Sequence, residues 1–394
     1  MRVLMVTPGE LSRDPRGRRA ALAARAHGHD VVGLCADGES PTDGLEGLDV
    51  VRIRSGRVSS ALRRTGLGGM RPSPPVVREL RGIYRLLRLG RLTLRLARAG
   101  RRLGSFDVVH GHDVDALPAT WLIARQSHAG LVYDAHELYA DQEPDPPRIY
   151  RAALGVLERA LAQRASAVVT VSEPIADELT LRFALTERPA VVLNCPSREE
   201  HESPSPRTGA LRAIYQGAMG PGRMLDDLLA AAEHAPSVEL TLRVANADLE
   251  SIRRELQRRS LTERVEVVEP VDQAHLVQAL HPYEVGLIIN RPVSRNNELV
   301  FPNKLFEYMM AGLAVVAPRL PGLAPLVEGE RIGMCFEPGN PSDLASVLER
   351  LAADREAVSA MGTRARRLAL DSYNAETQAT ELARVWRTAR RSGA

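Results

Sequence analysis

Glu298 to Pro318, ELVFPNKLFEYMMAGLAVVAP, reads as one complete helix-to-strand unit. Pro302 is placed to begin a helix, Asn303 to Ala311 supply its turns, Gly312 is the natural C-cap, and Leu313–Ala317 start a strand. A helix followed at once by an apolar, β-branched run is the building block of a parallel sheet. The same alternation recurs outward in both directions. In the first half the runs are Arg2–Thr7, Val31–Cys35, Val50–Ile53, Asp107–His110, Leu131–Asp134, Ala167–Ser172 and Ala190–Leu193. In the second half they are Leu211–Gln216, Leu240–Val244, Val265–Val268, Val285–Ile289, Ala314–Ala317 and Gly333–Phe336. This count predicts an α/β chain with two doubly wound parallel sheets.

Between the two sets, Asn194 to Gly209 holds Pro196, Pro204 and Pro206 and has no apolar period, which marks a linker. The expected organisation is a first domain over 1–195, a linker over 196–209 and a second domain over 210–374. A closing helix over 375–394 is expected to pack back on the first domain.

The chain has 394 residues, of which 44% are hydrophobic and 26% charged, with a net charge of +3. That balance belongs to globular proteins and argues against wholesale disorder. No run approaches the ~20 apolar residues that span a bilayer. The first strand is broken at once by Pro8-Gly9, unlike a secretory signal. Cys35, Cys195 and Cys335 are widely spaced and odd in number, so they read as core thiols of a reducing compartment. A cytoplasmic location is expected.

Residues 76–102 stand apart, with nine arginines and a single acid, Glu79. Arg78, Arg81, Arg85, Arg88, Arg95, Arg98 and Arg102 fall at three- and four-residue steps, so a helix gathers them into one stripe with Leu80, Ile83, Leu87 and Leu94 largely elsewhere. A solvated face is one reading. Contact with an anionic membrane surface, at the inner membrane face, or with a lipid-phosphate acceptor is the other. Nucleic acid is disfavoured, because only Tyr84 interleaves the arginines.

Lys304 is the only lysine in the chain and lies in the first turn of the helix quoted above. A cation there opposes the helix dipole unless an anion binds nearby, so a compact ammonium facing a pyrophosphate is the functional reading. An exposed Lys304–Glu307 pair is the plain one. At the end of another strand, Asp107-Val108-Val109-His110-Gly111-His112-Asp113 carries two imidazoles to the carboxyl edge, where open α/β sheets bind ligands. A metal is a competing idea, but no third ligand appears at a recognisable spacing. Tyr133-Asp134-Ala135-His136-Glu137 ends the next strand with a dense polar group, in which Asp134 also suits a helix cap. Tyr215-Gln216-Gly217-Ala218-Met219-Gly220-Pro221-Gly222-Arg223 supplies glycines that let backbone approach phosphate.

PNKLFEYMMAG followed by an apolar strand and proline resembles the donor-site helix of the retaining GT-B glycosyltransferases of family 4, and the likeness extends over most of the chain. The resemblance implies two Rossmann-like domains facing a central cleft, with the nucleotide sugar on the second. It gives Glu307 the ribose hydroxyls and sets His112 beside the donor sugar, with His110 as a structural partner. Arg223 stands where the family carries a lysine, and Ala218 where it carries an arginine, which leaves Arg223 and Lys304 to neutralise the diphosphate. Asp134, His136 and Glu137, and in the first loop Asp14 and Arg16 with Arg13, are implied on the acceptor side.

One departure is sharper. The family pairs two glutamates eight positions apart, yet eight before Glu307 is Leu299. Either Glu298 moves in by one residue, or sugar recognition falls to backbone amides with Asn296, Asn297 and Asn303; the second is preferred. Gly217 completes the expected donor set. The implied activity is retaining transfer from a nucleotide-diphosphate sugar, with UDP-sugar the first expectation, to a hydroxyl acceptor. No cofactor or metal is expected, since Asp113-Val114-Asp115 is the lone Asp-x-Asp near these residues and is read as a distractor. Two rivals remain: a GT-B epimerase or hydrolase of nucleotide sugars, and a non-catalytic sugar- or membrane-binding scaffold.

Overall fold

The computed structural model describes residues 1–36, 45, 47–53, 75–143, 145–200, 209–218, 225–245 and 247–393. The chain divides into two compact units, Met1–Val192 with Ala379–Ala394, and Leu193–Gln378. The linker stretch 201–208 lies outside the described residues.

In the first unit, β1 (Arg2–Thr7), β2 (Asp30–Ala36), β3 (Asp49–Ile53), β4 (Val108–His112), β5 (Gly130–Ala135), β6 (Ala167–Thr170) and β7 (Ala190–Val191) form one sheet in the order β3-β2-β1-β4-β5-β6-β7. In the second unit, β8 (Leu211–Ala218), β9 (Val238–Ala245), β10 (Val265–Val268), β11 (Val285–Leu287), β12 (Ala314–Pro318) and β13 (Gly333–Phe336) follow the order β10-β9-β8-β11-β12-β13. Every pairing is parallel. Both sheets therefore carry the doubly wound strand order, reversing at β1/β4 and at β8/β11, and such reversals open a crevice at the carboxyl ends.

Parallel strands covered on both faces must be apolar on both, which is why they were readable as continuous runs. In β1, Val3 and Met5 feed one core while Leu4 and Val6 feed the other. In β12, Ala314 and Val316 face one layer, and Val315 and Ala317 the opposite one. The closing helix, Ala375–Gly393, buries Trp386 completely in the first unit's core beside Val3 and Val108. Gly130 admits this helix closely, since a Cβ there would lie 2.4 Å from the Ala389 carbonyl oxygen.

The arginine segment is one helix, Pro75–Arg101, but its sides are not divided as the spacing suggests. The buried side is built from Gly82, Leu89, Leu96, Ala97 and Gly100. Leu80, Ile83, Leu87 and Leu94 all face outward together with the arginines. Small residues let the helix sit close to its neighbours, and the leucines are displaced to the outside.

Candidate functional site

Each sheet brings chemistry to its reversal point, and the two sets are described separately. In the first unit, Asp134 is the hub. It lies one residue before the end of β5, in register with His112, and is 1% exposed. Arg16, from the helix Pro15–Ala26, forks onto it through Nε at 2.8 Å and Nη2 at 2.6 Å, while Nη1 donates to the Val192 carbonyl at 2.5 Å. Three imidazoles approach the same oxygen, Asp134 Oδ2: His110 Nε2 at 3.4 Å, His112 Nδ1 at 3.5 Å and His136 Nε2 at 3.7 Å. Burial alone would raise this carboxyl, but Arg16 foremost, then His136 and His110, hold it well below the usual range.

The protons follow from the partners. Trp386 Nε1 lies 3.0 Å from His110 Nδ1, and an indole can only donate. The His110 proton is therefore on Nε2, facing Asp134. The His110 and His112 rings stack at 4.5 Å. Burial pushes both below the ordinary imidazole value, and the neighbouring His110 carries His112 down further. His136 goes the other way: burial would lower it, but Asp113 and Asp134 raise it. Its Nδ1 lies 3.1 Å from Asp113 Oδ1 and its Nε2 lies 3.1 Å from His112 Nδ1. Where His136 Nε2–H donates to His112 Nδ1, the single His112 proton lies on Nε2. That buried nitrogen has no hydrogen-bond partner among the described residues.

Gly111 makes this edge possible. A Cβ there would meet Thr120 Oγ1 at 2.3 Å, so glycine lets the helix Asp113–Ser127 start directly under the two histidines. Asp113 adopts φ +67° at that start, a left-handed conformation that Asp tolerates better than most residues. Its carboxylate also accepts from the Tyr139 hydroxyl. Burial raises both Asp113 and Asp115. The two line a cavity of about 240 Å³ with Tyr139, Tyr150, Arg85 and Leu154.

Asp14 caps the helix Pro15–Ala26 by accepting from the Arg16 amide at 3.0 Å. Glu137 is half-buried, raised by burial, and hydrogen-bonds to Gln142. Two sets, Asp14/His112/His136 and His110/His112/Asp134, have donor atoms within 4.8 Å of one another. The second set shares Asp134 with the Arg16 guanidinium, so a cation there would face a fixed positive charge, and the donor set does not suit a metal.

In the second unit the helix Asn303–Ala311 begins after Pro302 and ends on Gly312 at φ +76°, as its residues imply. Lys304 is 6% exposed, with Nζ 3.9 Å above the Tyr215 ring. Glu307 is also buried, and its Oε2 accepts from Gln216 Nε2 at 3.0 Å. Gln216 Oε1 accepts in turn from Arg243 Nη1 at 2.8 Å, and Arg243 Nη2 reaches the Ala279 carbonyl at 3.1 Å. The plain reading of an exposed Lys304–Glu307 pair is therefore excluded.

Tyr308 braces the same group. Its ring lies over Gly286, where a Cβ would meet it at 2.3 Å, and its hydroxyl accepts from the Gln216 amide at 3.0 Å and donates to the Leu287 carbonyl at 3.1 Å. Gly217 takes φ +141° just beyond β8's Gln216. Arg223 lies outside the described residues. In the short helix Arg295–Leu299, Glu298 pairs with Arg295 at 2.7 Å, and Asn297 is tied to the capping Ser294 at 2.7 Å. Asn303 is exposed at the start of its helix.

The sequence reading missed Gln216's partner Arg243 and His110's partner Trp386. Arg243 had a local signal: a guanidinium inside the buried strand VELTLRVA, in register with Gln216. Trp386 had none.

Comparison with known proteins agrees with both halves. The family described as Glycosyltransferase Family 4 matches residues 18–196, and that described as Glycosyl transferases group 1 matches residues 211–354. A glycogen synthase of Mycobacterium tuberculosis is 22% identical over 99% of this chain and 95% of its own length. A D-inositol 3-phosphate glycosyltransferase of Streptomyces bingchenggensis is 24% identical over 67% of this chain and 63% of its own. Among solved structures, Anabaena HepE in complex with UDP superposes at TM-score 0.72 with 16% identity, covering 98% of this chain and 99% of its own. Sucrose-phosphate synthase from Thermosynechococcus elongatus does so at 0.73 with 16% identity, covering 98% of each chain.

Proposed function

The chain belongs to the GT-B glycosyltransferases of family 4 and uses a nucleotide-sugar donor, and from that premise we propose a retaining, metal-independent enzyme that moves a sugar from a UDP-sugar to a hydroxyl acceptor. The observation that carries this reading is the burial of Lys304 and Glu307 at a sheet's carboxyl edge. Burying charged groups is costly, and a helix N-terminus at a sheet's carboxyl edge favours an anionic ligand.

In the proposed complex Glu307, fixed by Gln216 and Arg243, takes the ribose hydroxyls. Lys304 and Arg223 balance the diphosphate as it departs, supplying the charge a divalent cation supplies elsewhere. The His112 Nε2 proton is offered to the donor sugar. The acceptor oxygen bonds to the anomeric carbon as the carbon–phosphate oxygen bond breaks, and the acceptor proton passes to the leaving phosphate. Attack and departure on one face retain the configuration. Uridine is favoured by likeness to HepE, which was solved with UDP and glucose. The acceptor enters on the first unit, beside Asp14, His136 and Glu137, with the cavity behind Asp113 taking a polar group.

Replacing Lys304 with Ala is expected to lower kcat by about 10²–10³ while the melting temperature stays put. Full activity in that variant sinks the assignment. Transfer is expected to persist in excess chelator, and free sugar or epimer from donor alone, without transfer, would favour the hydrolase or epimerase.

A further inference from the structure

Nine of the eleven large hydrophobic side chains exposed among the described residues lie on two helices of the first unit, Pro75–Arg101 and Arg148–Ala162. On the first they form a ridge: Val76 is 71% exposed, Leu80 and Leu87 59%, Leu94 53% and Ile83 41%. Steps of four, three, four and seven place them on one side of the helix. At 1.5 Å per residue the ridge runs about 27 Å. Ile149 and Val156, seven residues apart and both exposed, extend the apolar surface onto the second helix.

Arginines flank the ridge. Arg81, Arg88, Arg91, Arg95 and Arg98 are all exposed. Acids are drawn away from this side. Glu79, the single acid of the segment, accepts from the Arg148 and Ile149 amides at 3.0 Å each and caps the neighbouring helix. Asp145 and Glu143 engage Arg78 and Arg85, the arginines turned partly inward.

A merely solvated face has no use for five exposed aliphatic side chains in line, and contiguous apolar patches on soluble proteins mark contact sites. A second copy would set one arginine row against another across an isologous contact, so like charge opposes pairing. Nucleic acid recognition through stacking needs aromatic side chains, and Tyr84 alone lies among the exposed arginines. An anionic bilayer accepts both features, since aliphatic side chains enter the interface and arginine stems reach up to the head-group phosphates. We propose that this two-helix face docks the enzyme on an anionic lipid bilayer.

The test is co-sedimentation of the full chain with vesicles of phosphatidylcholine alone or enriched in phosphatidylglycerol. Binding is expected to the enriched vesicles only, weakening as salt rises. The double variant R88E/R91E is expected to bind at least about 25-fold more weakly, from about fivefold per arginine removed. An L87W variant should show a blue-shifted emission on the enriched vesicles, and all variants should keep the circular dichroism of the parent. Equal binding to both vesicle types, no binding, or an L87W spectrum unmoved by lipid overturns the proposal. So does sedimentation velocity showing self-association that R88E/R91E abolishes, or displacement from vesicles by duplex nucleic acid.

Discussion

At the carboxyl edge of the first sheet, three imidazoles and the Arg16 guanidinium converge on one buried carboxylate, Asp134. At that of the second, the Glu307 carboxylate is joined to a guanidinium through Gln216, and one ammonium stands over the Tyr215 ring. The first edge gathers its charged groups around one carboxylate, with His110 Nε2 and His112 Nε2 both buried and without a hydrogen bond among the described residues. The second braces its charged groups with rings and amides. The contrast teaches that burial of charge has two uses. One edge is a self-contained electrostatic unit whose damage should appear as lost stability. The other is proposed to present its charge to a ligand, and its damage is then expected to appear as lost activity.

The largest effect expected to separate them is Asp134→Asn. It leaves the Arg16 guanidinium buried without its carboxylate, and breaking such a pair costs about 3–5 kcal/mol. Melting of the first unit should fall by about 10 °C. Lys304→Ala should leave melting unchanged. If both variants melt like the parent, the distinction between the two edges fails.

Next comes a pH effect confined to the first unit. Burial pushes Glu158 up to about 7, although the Tyr133 hydroxyl donates to it at 2.6 Å. A carboxyl whose folded value lies above its unfolded one stabilises the fold fully below about 4.5 and loses that contribution as pH rises through about 7. Glu158→Gln carries no such dependence. It should gain about 3 kcal/mol relative to the parent between pH 4 and pH 8, measured by urea unfolding at each pH. A parallel pair of curves refutes the burial account.

A smaller effect sharpens the second edge. Gln216→Met keeps the volume but removes the amide between Glu307 and Arg243. Donor KM should rise about tenfold, the equivalent of about 1.4 kcal/mol, with kcat changed less. An unchanged KM would mean that Glu307 does not need the bridge.

The residues that carry these predictions were unequally legible. Most strands could be read as apolar runs because they are buried on both faces, whereas β3 and β7 at the first sheet's edges are only partly buried and β9 alternates Glu239, Thr241 and Arg243 with apolar residues. The helix Asn303–Ala311 was legible from its proline start and glycine stop, and Lys304 from being the sole lysine. The network at Asp134 was not, because Arg16 is 118 positions away and local spacing carries no register. The arginine helix misled for a different reason. The spacing sets Leu80, Ile83, Leu87 and Leu94 largely apart from the arginine stripe, which suggests a packing side, but Gly82, Ala97 and Gly100 do much of the packing, and the backbone's close approach leaves the long aliphatics outside.

The smallest expected effect on catalysis concerns Trp386, whose indole donates to His110 from 276 residues away. Trp386→Phe keeps an aromatic ring in the core but removes the donor and leaves a gap, which should cost about 1–2 kcal/mol of stability. Its effect on catalysis should be slight. With Nδ1 released, His110 could shift its proton there, but Nε2 would then turn a lone pair toward the Asp134 carboxylate 3.4 Å away. Like charge density disfavours that tautomer, so the proton stays on Nε2 and the stacked His112 keeps its own arrangement. The rate should remain within about threefold of the parent, a difference below about 0.7 kcal/mol in the barrier, with an unmoved pH profile. A hundredfold loss of kcat at normal stability would mean that the closing helix reaches the chemistry through His110, and the first edge would then be as functional in its interior as the second.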